Sequence, residues 1–359
     1  MMGARGMLKI VAVFPPPTTG MTHVTKAIAE RLSETIDVRR FVVSKTDGKA
    51  RFWSFRKHLA LVRQLTRAIF SDPQKAPVYI VLDAGQGAWG SLVLVLLAKL
   101  SGVPLIIHHH VFSYVEAPTL ATRSVFAVAP ANTLHITLCP CMADKLKRLY
   151  GDSVRTSVLS NAAFIAPSEA RRSPARALNS VGFLGNITRE KGILLFLETM
   201  RVLEDRDITL SAIIAGPISD VEIRSEVDAF IAEAPERRSY RGPVYGEDKA
   251  AFYQDIDALL FPSQYRNEAQ PVTIYEALAV GCPVLATDRG CIPDQLPSEW
   301  VFDQECFVAS AGIAISGWVR RHENFGQATR LAEQFYSDAC REASRSLASL
   351  VSVIKKANK

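Results

Sequence analysis

Short apolar runs alternate with stretches that carry an apolar residue every three or four positions, and the alternation occurs twice along the chain. In the first half, 8–14, 38–43, 78–82 and 105–109 are apolar runs of the length and composition of buried strands. Between them, 25–33, 53–70 and 89–100 keep helical spacing. A second series predicts strands at 180–184, 210–215, 258–261, 284–287 and 308–309, and helices at 194–203, 223–234, 248–253 and 273–280. Strands separated by helices pair in parallel through right-handed crossovers, so each half is predicted to be an α/β unit of Rossmann type.

A chain of 359 residues exceeds one compact core. The reading is a first Rossmann-like domain over 1–165 and a second over 180–335. The stretch 166–179 (APSEARRSPARALN) has no apolar period and is expected to be the linker. After Phe325, Ala328, Leu331, Phe335, Ala339, Ala343, Leu347, Leu350 and Val353 continue a helical period. Residues 336–359 are expected to form a terminal helix packing back on the first domain. Ligands of open parallel sheets bind beyond the carboxyl ends of the strands, so a central cleft faced by both domains is the expected site.

The most informative segment is 267–284, NEAQPVTIYEALAVGCPV. Pro271 suits a helix start, and the backbone N–H groups of Thr273 and Ile274 are left to meet an anion. Gly281 supplies a left-handed stop before the 284–287 strand. Glu268 precedes this helix and Glu276 lies inside it. Taken alone, Glu268 reads as a solvated loop charge and Glu276 as a charge complementing the helix dipole. Their surroundings decide. Upstream stand Phe183-Leu184-Gly185-Asn186-Ile187, then Lys191-Gly192; Leu259-Leu260-Phe261-Pro262-Ser263 follows, then Glu268, Glu276 and the run from Ala277 to Val284. In that order these elements resemble the retaining glycosyltransferases of the GT-B fold, in particular glycosyltransferase family 4.

The resemblance implies a GT-B architecture of two Rossmann-like parallel-sheet domains, the second binding a nucleotide diphosphate sugar donor. It implies that Lys191 neutralises the donor diphosphate, Glu268 binds the transferred sugar and Glu276 the nucleotide ribose. Where the family pattern has an arginine this chain has Asn186, and Arg189 is the nearby replacement. It also implies that His110 meets the donor sugar and that Gly20, in 15–22 (PPPTTGMT), approaches the donor phosphate. A fixed ammonium and helix N–H groups stabilise a departing diphosphate more than the bound ground state, so no metal or further cofactor is required. Asp255-Ile256-Asp257 imitates a metal-binding Asp-x-Asp signature but directly precedes a strand, and reads as a helix-end pair. His108 and His109 read as structural.

Composition narrows the rest. Hydrophobic residues at 48% and charged residues at 22% are ordinary for a globular chain. The net charge of +6 favours anionic partners. No GxGxxG fingerprint points to a nicotinamide cofactor, and no recognition module points to nucleic acid. The six cysteines lack paired CxxC spacing and are expected to be reduced thiols. No leader opens the sequence, so a cytoplasmic protein is expected. The basic, amphipathic stretch 51–70 fits either a sheet-packed helix or an anionic membrane surface at the inner face of the plasma membrane, where a saccharide or lipid-linked saccharide acceptor would be met. Rival readings are a nucleotide-sugar epimerase or phosphorylase on the same scaffold, and a catalytically silent sugar-nucleotide-binding or assembly protein.

Overall fold

The computed structural model describes residues 6–16, 20–43, 53–72, 75–166 and 176–358, with the side chains of 53–55 excepted. Two compact units result: Met1–Phe164 with Arg341–Lys359, and Ile165–Cys340. Positions 167–175 of the predicted linker lie outside the described residues, as do 17–19 and 51–52.

The first unit alternates β1 (Met7–Val13), α1 (Gly20–Ser33), β2 (Asp37–Val43), α2 (Trp53–Phe70), β3 (Val78–Leu82), α3 (Gly87–Ser101) and β4 (Leu105–His109). It continues through α4 (Ser113–Glu116), α5 (Leu120–Val128), β5 (Leu134–Thr137), α6 (Pro140–Tyr150) and β6 (Arg155–Val158). The strands form one parallel sheet ordered β2-β1-β3-β4-β5-β6. Leu8, Ile10, Ile80, Leu82 and Ile107 are fully buried, as parallel strands covered on both faces must be. Cys139, whose sulfur accepts the Met142 N–H at the start of α6, is disulfide-bonded rather than reduced.

The second unit begins with β7 (Ser180–Leu184), α7 (Ile193–Glu204), β8 (Ser211–Ala215), α8 (Val221–Ala232), β9 (Arg238–Tyr240) and α9 (Gly246–Asp255). Next come β10 (Ala258–Phe261), α10 (Val272–Ala279), β11 (Val284–Thr287), β12 (Val301–Phe302), α11 (Phe307–Arg320) and α12 (His322–Ala357). Its parallel sheet runs β12-β11-β10-β7-β8-β9. Residues 308–309, expected to be a strand, belong to α11 instead. Their apolar character continues at helical spacing through the buried Ala311, Ile315 and Trp318, and the sheet edge is taken by the two-residue β12. Cys291 is disulfide-bonded, while Cys141, Cys282, Cys306 and Cys340 are free; the expectation of six reduced thiols is corrected for two of them.

α12 is one helix whose residues from Arg341 onward count with the first unit. There Asn358 accepts from the Met7 N–H at 3.1 Å and donates to the Met7 carbonyl at 3.0 Å, tying the last turn to the start of β1. Among the described residues no helix is long and apolar enough to cross a membrane.

Candidate active site

Read from its other edge, the second sheet has the order β9-β8-β7-β10-β11-β12. The chain winds outward from β7 to β9, returns beside β7 as β10, and winds out the other way. The carboxyl ends of β7 and β10 therefore form the switch point at which open α/β sheets take their ligands. Two loops leave it, 185–192 and 262–271.

Glycine lets these loops touch backbone to backbone. Gly192 has φ +82°, and a Cβ there would overlap the Pro262 carbonyl. The Gln264 N–H donates to the Glu190 carbonyl at 2.7 Å and locks the approach. Behind them Gly290, at φ +61°, lies against the backbone of Glu268 and Ala269, where a side chain would collide. Lys191 and Glu268, distant in sequence, are consequently brought together: Lys191 Nζ lies 2.5 Å from Glu268 Oε2. The same oxygen accepts from the Ser263 hydroxyl at 2.8 Å. Glu268 is only 8% exposed, so these two donors offset the cost of withdrawing its charge from water. The ammonium also lies 4.7 Å from the centre of the Tyr265 ring, within cation–π range.

Two helix ends open beside this pair. α7 starts after Gly192 and α10 after Pro271; neither start has a side-chain cap or an acidic residue in its first turn. Their first N–H groups, including those of Thr273 and Ile274, remain available to an anion. α10 stops as expected: with Gly281 at φ +72°, the Gly281 N–H reaches the Leu278 carbonyl and the Cys282 N–H the Ala277 carbonyl, each at 3.0 Å.

Glu276 falls in the second turn of α10 with partners of its own. Lys249 Nζ lies 2.5 Å from Oε1, and the Tyr253 hydroxyl 2.9 Å from Oε2. Burial, then the negative charge of Glu276, push the Tyr253 phenol well above its ordinary range, so it stays protonated and donates. Lys249 and Tyr253 are four apart on α9 and share a face. That spacing was present in the sequence but carried no sign of what the face meets. Asn186 and Arg189 are exposed on the 185–192 loop, and Arg189 forms no ion pair among the described residues.

The remaining candidates belong to the first unit. Gly20 opens α1 with nothing within 4 Å of where a Cβ would stand. His110 follows β4; its Nε2 is buried without a hydrogen-bond partner among the described residues, and burial lowers its pKa to about 4. His108 Nδ1 lies 2.6 Å from the Tyr79 hydroxyl, while His109 meets the Tyr114 hydroxyl at 2.9 Å and His135 Nδ1 at 3.0 Å. The switch point of this sheet, between β1 and β3, carries an ion cluster that the sequence did not suggest. Asp83 Oδ2 is 2.5 Å from Lys57 Nζ and 3.1 Å from His58 Nε2. Burial raises the Asp83 pKa, but the hydrogen bond from His58 and the charge of Lys57 outweigh it and hold the carboxyl below its usual range.

Asp255 and Asp257 do not face a common point. Asp255 pairs with Arg241 at 2.7 Å. Asp257, fully buried, accepts from the N–H groups of Asn179 and Ser180 at 2.8 and 2.9 Å, and pairs with Arg176 at 2.5 Å.

Residues 179–312 match the model of the family described as glycosyl transferases group 1. No curated protein matches the chain. Solved structures match it over almost its whole length. Sucrose-phosphate synthase from Thermosynechococcus elongatus is 16% identical with a TM-score of 0.67, covering 97% of this chain and 100% of that one. Anabaena HepE in complex with UDP is 15% identical with a TM-score of 0.66, covering 96% and 100%. The lipopolysaccharide outer core galactosyltransferase WaaB is 16% identical with a TM-score of 0.64, covering 95% and 99%. At these identities the likeness establishes the fold, GT-B with two Rossmann-like domains. Together with the domain match it supports a GT-B glycosyltransferase.

Proposed function

We propose that this protein is a retaining glycosyltransferase of family 4 that moves a hexose from a nucleotide diphosphate sugar to an acceptor hydroxyl, in the synthesis of a cell-surface polysaccharide or glycolipid. One observation carries the reading: the Lys191–Glu268 pair lies at the switch point of the second sheet, beside two uncapped helix starts. The HepE structures in complex with UDP and with UDP-glucose add support for a nucleotide-sugar donor.

In this reading the donor diphosphate takes the place of Glu268 as the partner of Lys191 and accepts the N–H groups at the start of α10. Glu268 is then free to accept sugar hydroxyls, and Ser263 keeps its carboxylate oriented. Glu276, held by Lys249 and Tyr253, accepts the ribose hydroxyls. As the anomeric C–O bond breaks, negative charge grows on the leaving phosphate, where the ammonium and the helix dipoles act most strongly. Arg189 or Asn186 adds a further polar contact from the 185–192 loop; the family resemblance assigns Gly20 to the donor phosphate and His110 to the donor sugar. Acceptor hydroxyls are assigned to the first unit, near Asp83 and Lys57. No cofactor beyond the donor substrate enters this scheme, and the location is cytoplasmic, peripheral on the inner face of the plasma membrane.

A thermal-shift panel of UDP-, GDP- and ADP-sugars with a hydrolysis readout tests the class. Stabilisation accompanied by hydrolysis of one donor is expected; stabilisation without turnover would favour the silent sugar-nucleotide binder. Lys191→Ala should lower kcat by roughly 10²–10³-fold, as loss of a transition-state donor does elsewhere. Glu268→Gln should also act on kcat, and Glu276→Ala on the donor KM. Native kinetics in all three variants would overturn the assignments.

A further inference from the structure

The large apolar side chains exposed in the second unit are scattered over Val221, Tyr245 and Ile313, whereas those of the first unit, apart from Val42 on β2, gather on adjoining helices. α3 is almost wholly apolar, with Lys99 its one charged residue. A helix of that composition is buried on every side or faces an apolar medium. It packs Ala88, Leu94, Val95 and Ala98 inward and turns Trp89, Val93, Leu96 and Leu100 outward, at 46%, 44%, 38% and 83% exposure. Steps of four, three and four residues place these side chains in one stripe. α2 and α5 both pack against α3 and extend the face with Leu59, Phe70 and Leu120, which are 60%, 82% and 71% exposed. An apolar patch of this extent marks an interaction surface.

Charge identifies its occupant. α2, α3 and α5 contain no aspartate or glutamate. Arg56, Arg63 and Arg67 on α2, Lys99 on α3 and Arg123 on α5 are all exposed, and none forms an ion pair among the described residues. Lys57, the other cation of α2 with a described side chain, is committed to Asp83. A second copy of the chain would set these cations against their own kind with no carboxylate from α2, α3 or α5 between them. A lipid surface satisfies both features, with apolar side chains entering the acyl boundary and cations at phosphate level.

We infer that the α2–α3–α5 face docks on the surface of a bilayer containing anionic phospholipid. The apolar contact comes from α3, and the basic helix α2 supplies charge along its border. The inference deepens the peripheral membrane location of the proposed function and rests on that part of the reading, while it needs none of the transfer chemistry.

Co-sedimentation of the full chain with phosphatidylcholine vesicles, with and without roughly a third phosphatidylglycerol, tests it. The chain should pellet with the anionic vesicles, stay in solution with the neutral ones, and be released as salt screens the contact. Leu96→Ser with Leu100→Ser, and separately Arg63→Glu with Arg67→Glu, should each lower the bound fraction about tenfold or more. Lys26→Glu on α1 should leave it unchanged. All these side chains are exposed, so native melting curves are expected in the variants and serve as the check that the fold is kept. Absence of binding by the native chain, or equal binding by both double variants, overturns the inference. So does self-association that Leu96→Ser with Leu100→Ser abolishes while vesicle binding is absent. The measurement involves no sugar nucleotide, so its failure and that of the transferase reading are separable.

Discussion

At the residue scale the site depends on one missing side chain. Gly192 combines a left-handed backbone, φ +82°, with a contact in which any Cβ would overlap the Pro262 carbonyl. That neighbour is backbone and cannot rotate away. Gly242, at φ +71°, is a built-in control because nothing lies within 4 Å of its missing Cβ. Gly242→Ala should cost about 1 kcal/mol, the penalty of left-handed backbone alone. Gly192→Ala should cost at least about 2 kcal/mol more, as overpacking against rigid structure does, and should part Lys191 from Glu268. Urea unfolding of both variants checks this, and equal losses would remove the steric argument. The sequence showed Lys191-Gly192 as a helix start. It could not show that the glycine is pressed against a carbonyl from a loop 70 positions further along the chain.

At the element scale, legibility followed length. β1, β3, β4, β7 and β10 are apolar runs of four to seven residues and were predicted close to their observed bounds. β5 and β6, at four residues each with polar members, β9, at three, and β12, at two, are too short for a period to emerge, and Val308-Ala309 was misread because two apolar residues fit helix and strand alike. The site shows the same division. Lys191, Glu268 and Glu276 stood out through the order of their surrounding motifs, whereas Ser263, Lys249 and Tyr253 gained a role only once folding set them against those carboxylates. Asp257 shows how an element is held in place. Its carboxylate collects two backbone N–H groups at the start of β7 and the guanidinium of Arg176. Asp257→Asn removes the charge and turns one acceptor into a donor facing donors. A loss of about 2–4 kcal/mol is expected in chemical unfolding, because buried polar groups are left without partners. An unchanged midpoint would mean that β7 is fixed by its ladder alone.

At the scale of the whole molecule, charge and burial predict where acid acts first. The first unit encloses four imidazoles, His108, His109, His110 and His135. Burial drives the first two well below the ordinary histidine range and the last two to about 4. His109 and His135 share one hydrogen bond, so both are accommodated neutral. The unfolded chain titrates these groups near 6.5 and therefore binds more protons than the folded chain between that pH and about 4. Stability due to their neutrality is complete above pH 6.5 and is lost as pH falls through the window, by up to about 1.4 kcal/mol per pH unit for each fully buried histidine. Glu233, held at about 2 by hydrogen bonds from Arg201 and Arg238, contributes in the same sense only below the ordinary carboxylate range, outside this window. Protection of the β4 and β5 amides, the ratio of the intrinsic to the observed exchange rate, should therefore fall steeply from pH 7 to pH 5, while that of the β7 and β10 amides stays level. His135→Gln keeps a hydrogen-bonding side chain but cannot take up the proton, so the loss of protection should shrink by the share of one histidine. If it persists at native size, the acid sensitivity of the first unit has another source.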